Sequence, residues 1–446
     1  MALAALPKGP ARARPNGKVR YLDLLRLRST ARLLTGTLIG RLPNSMAPIA
    51  LLISAQQTTG SLETGGLLTA GYLIAFALGQ PMLGRLTDRV GLVPPLLGGS
   101  LLATSALSTL AFLGTAHAPA ALALTIAAGG FSPPLEGGLR TLWPTVLPGQ
   151  SSGHAAYLRT AYALDNGTQD AVYVVGPVLA GVLAAASTRT ALLVTAAVGL
   201  GGTLSVGCSR PARRWTPAQA THHWLGPLHS APVRALLTSF FFAGGAVGAL
   251  RVCAIAQAQT SETRWLQGTL PALFSFGGLV GGLLYGARAR WSGTRIQHIT
   301  LLAGGSAISW LPMLAKPKPI LSALLITLPG LAFTAMLCVG CLMVNTVTPR
   351  GTGTEAFGWL IAAINAGLAL GTALAGLADG SYIVPFLSAA AATVVLLSAR
   401  STLLYSPNVS ARCVPADTVG VLVPVAHVVG PRQGDPALGT WRRTSS

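Results

Sequence analysis

The chain has 446 residues, 51% of them hydrophobic and only 9% charged, whereas soluble domains carry about 25% charged residues, so a water-facing surface is excluded. A net charge of +20 invites a nucleic-acid reading, but the basic residues flank apolar segments without an aromatic-rich basic face, so no nucleic-acid partner is expected. The 53 glycines follow no three-residue period, which excludes collagen, and small residues of this kind let membrane helices approach closely.

The first 32 residues are basic (Lys8, Arg12, Arg14, Lys18, Arg20, Arg26, Arg28, Arg32) and lack the apolar core of a cleavable signal peptide. Twelve apolar stretches follow, each long enough to cross roughly 30 Å of hydrocarbon as a helix. The first six run near Leu33–Ala55, Gly65–Gly84, Leu92–Thr115, Pro119–Trp143, Tyr157–Ala186 and Thr190–Cys208. The last six run near Ala235–Gln257, Leu266–Gly286, Ile296–Ala315, Ile320–Val347, Phe357–Ala378 and Ile383–Tyr405. Pro48, Pro133, Pro134, Pro144, Pro177 and Pro329 fall within or near helix ends, which in a bilayer predicts kinks satisfied by neighbours, not loops. The expected fold is an all-α integral membrane protein of two pseudo-symmetric six-helix bundles. Its parts are a basic segment 1–32, a bundle 33–208, a basic linker 209–231, a second bundle 232–405 and a poorly ordered tail 406–446.

Charge sorts by the parity of the connections. With both termini on one side, that side holds Arg85, Arg89, Arg159, Arg210, Arg213, Arg214, Arg234, Arg288, Arg290, Arg295, Arg350 and both basic tails. Arg189, Arg264, Lys316 and Lys318 lie opposite, and Arg41, Arg140 and Arg251 remain within the membrane. Positive charge is retained on the cytoplasmic side, so both termini are predicted to be cytoplasmic in a cell membrane. The chain also resembles itself. A shift of 202 places Gln57-Thr58 on Gln259-Thr260 and Gly66, Gly79, Gly84 and Gly91 on Gly268, Gly281, Gly286 and Gly293. A shift of 195 places Gly176 and Ala180-Gly181 on Gly371 and Ala375-Gly376.

Chemistry-bearing residues begin with Arg41 in the first stretch, which either attracts an anionic group or neutralises Asp165 or Asp170. Between the second and third stretches lies Gly84-Arg85-Leu86-Thr87-Asp88-Arg89-Val90-Gly91. This resembles the G-x-L-x-D-R-x-G signature of the major facilitator superfamily, with Gly84, Leu86, Asp88, Arg89 and Gly91 matching; Leu92 and Val93 replace its usual basic residues. The resemblance extends over the twelve-helix layout and implies a transporter working by alternating access. It also implies a conformational latch at Gly84, Asp88, Arg89 and Gly91, where the acid meets a helix N-terminus or an arginine of the other bundle. The bland alternative is a turn obeying the positive-inside rule. The second-half copy keeps Gly286 and Gly293 but has Arg290 at the acid position.

In the fourth stretch Glu136 and Arg140 stand at i, i+4, which predicts an internal ion pair; the arginine also weakly resembles one the superfamily links to proton transfer in exporters. The fifth holds Asp165, Asn166, Gln169 and Asp170. Asp170 lies about 20 Å into its helix at 1.5 Å per residue, near the midplane, where a carboxyl must be protonated, paired or hydrated. Asn166 and Asp170 share a face, with Asn365 at the pseudo-symmetric position, and these line the expected cavity. Gly167, Gly176-Pro177 and Ala180-Gly181 partly resemble the superfamily's antiporter motif, which implies proton-coupled export; the alternative is a packing seam of small residues. Arg251 in the seventh stretch reads like Arg41. Glu355 reads as an interfacial acid near Arg350.

Cys338 and Cys341 form a C-x-x-C inside an apolar run and read as small buried residues. His222, His223 and His229 lack partner ligands, so no metal site is expected, and no cofactor is implied. There is no G-x-x-x-x-G-K-[ST] phosphate loop and no enzyme signature. The expected partners are a small-molecule substrate, protons and the lipid bilayer, acting on a monomer. A facilitator or importer of a sugar or anion and a non-transporting sensor remain open.

Overall fold

The computed structural model describes residues 21–60, 62–115, 117–147, 154–217, 226–263, 265–287, 294–349 and 351–404. The basic segment before Tyr21, the second-half loop with Arg290, the histidines His222 and His223, Arg350 and the tail lie outside the described residues.

Six helical spans make up the first half. They are α1 (Arg28–Thr59), α2 (Leu62–Val90), α3 (Val93–Leu113), α4 (Ala118–Gly130 continued by Leu135–Val146), α5 (His154–Ala186) and α6 (Thr188–Gly207). The second half has α7 (Ala231–Thr260), α8 (Leu266–Ala287), α9 (Arg295–Ser309, continued by Leu311–Leu314), α10 (Pro319–Leu325 and Thr327–Val347), α11 (Gly353–Leu377) and α12 (Ile383–Ser398, continued by Arg400–Leu404). Ten of these spans are long and apolar enough to cross a membrane, and α9 and α12 complete the twelve. Leu301 and Ile320 are both 72% exposed and Leu377 is 84% exposed, the inside-out pattern of a lipid-facing surface.

Proline breaks two spans, not merely bends them. In α4 the residues Phe131–Pro134 leave the helix altogether, because two consecutive prolines lack N–H donors and clash with the preceding turn. Neighbours take over the freed backbone group: the Gln80 amide donates to the Ser132 carbonyl at 3.2 Å, and Ser132 Oγ bonds Asn44 Oδ1 at 3.1 Å. In α10, Pro329 cannot donate to the carbonyl four residues before it, and the helix is interrupted at Ile326.

The internal repeat reappears as packing. Gly79 of α2 lies against the Gly130 carbonyl of α4, and Gly281 of α8 lies against the Leu331 carbonyl of α10. Gly176 of α5 lies against Ser45 of α1, and Gly371 of α11 lies against Gly245 of α7. These two matched pairs, Gly79 with Gly281 and Gly176 with Gly371, therefore occupy close helix contacts within their own halves, where any Cβ would collide.

The buried core shows how the halves meet. One cluster draws on both halves, from Leu24 and Leu33 through Trp143 and Tyr162 to Met336 and Phe357. Two more are confined to one half each, around Leu51, Tyr72 and Leu110 in the first and around Leu250, Trp310 and Tyr382 in the second. The shared cluster lies at the end that carries Arg85 and Arg89, called here the basic end. The bundles are thus joined at the basic end and packed separately at the other.

Candidate functional site

Two features bridge the bundles at and above the basic end. The first is built on the loop-proximal end of α2. The start of α11 has Thr352 at its cap position, but that side chain makes no capping bond, so the first N–H groups of the helix need another acceptor. Asp88 supplies it from the other bundle: Oδ1 accepts from the Thr354 N–H at 3.1 Å and Oδ2 from the Glu355 N–H at 2.8 Å. The carboxylate also lies at the positive end of the helix dipole. Gly84, one turn earlier, lies against the Thr354 carbonyl, so the two backbones touch only because the side chain is absent. Gly91 ends α2 with φ +99, a conformation suited to glycine. Arg89 is exposed.

Glu355 is part of this contact and not an acid facing solvent. It is 3% exposed, and Arg85 grips it side-on, Nε donating to Oε2 at 3.0 Å and NH2 to Oε1 at 2.7 Å. Trp359 Nε1 adds a bond at 3.3 Å, and the linker approaches through Gly226, which abuts the Glu355 carboxylate. On the pseudo-equivalent seam, Tyr21, in a short helix Tyr21–Leu25 that precedes α1, donates to the Leu283 carbonyl of α8 at 2.5 Å, and Thr160 of α5 donates to the Gly286 carbonyl of α8 at 3.3 Å.

The second feature is a buried polar network between α1, α4 and α5. Asp165 is fully buried and accepts from two arginines, Arg41 NH1 at 2.8 Å and Arg140 Nε at 3.0 Å. Arg140, itself fully buried, also pairs with Glu136 at 2.7 Å and donates to Asn166 Oδ1 at 2.6 Å. Gln169 closes the ring with an amide bond to Glu136 Oε2 at 3.1 Å. Two guanidinium and two carboxylate groups balance, which is the condition for burying charge at this depth. The network reaches the second bundle: Phe357 lies under the Arg140 guanidinium at 5.7 Å, and Asn166 Nδ2 points at the Cys338 sulfur at 3.5 Å. Tyr162 donates to the Arg140 carbonyl at 3.0 Å and accepts from the Asn345 amide. Cys338 and Cys341 are buried free thiols.

The remaining residues singled out from the sequence fall elsewhere. Arg251 is exposed on α7, and Asp165 takes its partners from Arg41 and Arg140 instead. Asn365 bonds the Ile361 carbonyl of its own helix at 2.9 Å. The Asp170 side chain lies outside what is described, although its backbone continues α5. Gly167 lies against Leu279 of α8, and Pro177 sits inside α5. Gly181 meets nothing within 4 Å, so in this conformation it has no part in the seam that Gly176 forms. No group of three or more potential metal ligands occurs among the described residues. Sequence reasoning overlooked Arg85 and Glu355 as partners; the only available hint was an acid in the first turn of α11.

Twelve membrane spans in two repeated bundles, joined at one end by a helix-capping carboxylate, define a multi-pass membrane protein of the transporter type. Residues 33–261 match the model of the Major Facilitator Superfamily, and the chain belongs to that family. No curated protein matches the sequence closely enough to count as a relative. Among solved structures, a bacterial homologue of the iron transporter ferroportin in an outward-facing state matches with a TM-score of 0.65 at 16% identity, over 84% of this chain and 100% of that one. The human organic anion transporter MFSD10 matches at 0.61 and 16% identity, over 84% of this chain and 99% of that one. FucP in the outward conformation, and a variant form of FucP, the E. coli fucose:proton symporter, both match at 0.61 and 13% identity, over 83% of this chain and 98% of theirs. At such identities the likeness is one of fold.

Proposed function

We propose that this protein is a proton-coupled secondary transporter that exports a small drug-like molecule or metabolite by alternating access. The carrying observation is the Asp88 carboxylate capping α11 from the opposite bundle, a contact that has to break before the basic end can open. With the basic end in the cytoplasm, as the placement of arginines favours, this conformation faces outward. The similar structures include an iron transporter homologue, an organic anion transporter and a sugar symporter, so the fold supports the mode of movement and leaves cargo and direction to the cavity.

Coupling is assigned to the carboxylates of α4 and α5. Asp165 is held by two arginines, whereas the Glu136 side chain is 11% exposed and shares its oxygens between Arg140 and Gln169. A proton on Glu136 would weaken its hold on Arg140 and so loosen the network that touches the second bundle through Phe357 and Asn166. Asp170, on the same helix as Asp165, is the other acid that the sequence offers for proton exchange. Efflux from proteoliposomes with an imposed pH gradient tests the reading: transport should follow the gradient and lose that dependence in Glu136→Gln or Asp170→Asn. Transport indifferent to the gradient, with both variants as active as the parent, would remove the coupling.

A further inference from the structure

Asn166 joins the charged network to a pair of sulfur atoms. Its Oδ1 is held by Arg140 at 2.6 Å, which turns the amide nitrogen toward α10, with Cys338 Sγ at 3.5 Å and Cys341 Sγ at 4.0 Å. An amide nitrogen carries two N–H donors, so one side chain offers both sulfurs the kind of group that holds a thiolate. Both cysteines are 0% exposed and free. They stand at i, i+3, which puts their Cβ atoms about 5–6 Å apart on one face of the helix. A linear ion needs its two sulfurs about 4.6 Å apart, twice a metal–thiolate bond of about 2.3 Å, a separation within reach of that spacing.

Charge and ligand number decide which ion fits. Thiolate sulfur selects soft metals. The two guanidinium and two carboxylate groups of the network already cancel, so an added ion has to balance two thiolates or net charge is buried. A univalent ion leaves one negative charge over; a divalent ion leaves none. Zinc and other divalent ions that require four ligands find no third His, Cys, Asp or Glu grouped with the pair among the described residues. The ion that is soft, divalent and satisfied by two ligands is Hg(II).

We propose that Cys338 and Cys341 form a binding site for a mercuric ion, with Asn166 as a positioning residue. On binding, each thiol gives up its proton to solvent and two sulfur–mercury bonds form; no electron is transferred. The site lies where α5 meets α10, so the ion enters when the bundles part at the basic end. That route rests on the alternating-access reading, whereas the site does not.

The test uses purified full-length protein with Cys208, Cys253 and Cys413 replaced by serine. Titration with mercuric chloride against a fixed concentration of glutathione should load one ion per chain without loss of helix content. After glutathione is removed, X-ray absorption should find two protein sulfurs on the ion. Cys338→Ser and Cys341→Ser should each lose the ion to glutathione. Asn166→Leu should weaken binding about tenfold or more, as loss of an outer-shell partner does. Loading should be several-fold faster in Asp88→Asn. Two ions per chain, a single protein sulfur on the bound ion, or undiminished binding in either serine variant would each overturn the site. Parental affinity in Asn166→Leu would overturn the positioning role. An unchanged loading rate in Asp88→Asn, with the ion still held by both sulfurs, overturns the alternating-access route alone.

Discussion

A buried carboxylate held by two arginines is stable only while all three charges remain. Asp165→Asn leaves the Arg41 and Arg140 guanidinium groups facing a neutral amide in the interior, and breaking a buried ion pair in this way costs roughly 3–5 kcal/mol. We expect a clearly lowered Tm for this variant in detergent. Glu136→Gln should lower it less, because the Glu136 side chain retains contact with solvent at 11% exposure. Equal Tm values for Asp165→Asn and the parent would show that the network contributes little. The sequence marks these residues as unusual, because charge within apolar stretches is conspicuous, and the Glu136–Arg140 pair follows from helical spacing alone. It leaves Asp165 with Arg41 or Arg251 as alternatives. That choice is made by the rotation of α1 and α7 about their own axes, which the apolar pattern does not encode when both faces of a helix are apolar. Arg85 and Glu355 were hidden for a related reason: they are 270 positions apart, and nothing local to either names the other.

At the level of elements, the contact between α2 and α11 is a helix cap supplied in trans. Losing a cap costs on the order of 1 kcal/mol, and 1 kcal/mol shifts a two-state equilibrium about fivefold. Asp88→Asn should therefore raise the population open at the basic end several-fold without unfolding either bundle. Cys338 and Cys341 report on this, since both are fully buried at the meeting of α5 and α10. With Cys208, Cys253 and Cys413 replaced by serine, alkylation of Cys338 and Cys341 by a small maleimide should be slow in the parent and several-fold faster in Asp88→Asn. Gly84→Val should act in the same direction and more strongly, because its side chain would press on the Thr354 carbonyl. Unchanged alkylation in both variants would mean that the cap does not hold the conformation. Elements were read from the sequence with uneven success. Their number and order follow from apolar length, but Pro133 and Pro134 read as a kink, whereas α4 is interrupted outright. A sequence shows that donors are missing; it does not show that Gln80 and Ser132 will make an open turn affordable there.

For the whole molecule, the two halves were legible because close helix contacts constrain glycine twice, at Gly79 and Gly281 and again at Gly176 and Gly371. Their relative tilt was not, because the apolar pattern is the same however the two halves lean against each other. The tilt is what function depends on, and it can be arrested. Thr141 on α4 and Thr354 on α11 belong to different bundles, and their hydroxyl oxygens lie 3.4 Å apart at the basic end. Paired cysteines, Thr141→Cys with Thr354→Cys, should form a disulfide on mild oxidation, because a bridge needs only modest approach of side chains already in contact. The bridge would hold the basic end shut while leaving the opposite end free. Oxidised protein should then bind ligand from the open side with near-parental affinity and carry out almost no transport, and reduction should restore transport. Each single cysteine variant should be indifferent to oxidant, which separates the bridge from simple modification. Rigid-body rocking requires this outcome, since opening at the basic end moves α4 and α11 apart together with everything packed on them. Undiminished transport by the fully bridged protein would place the moving element inside one bundle and not between the two.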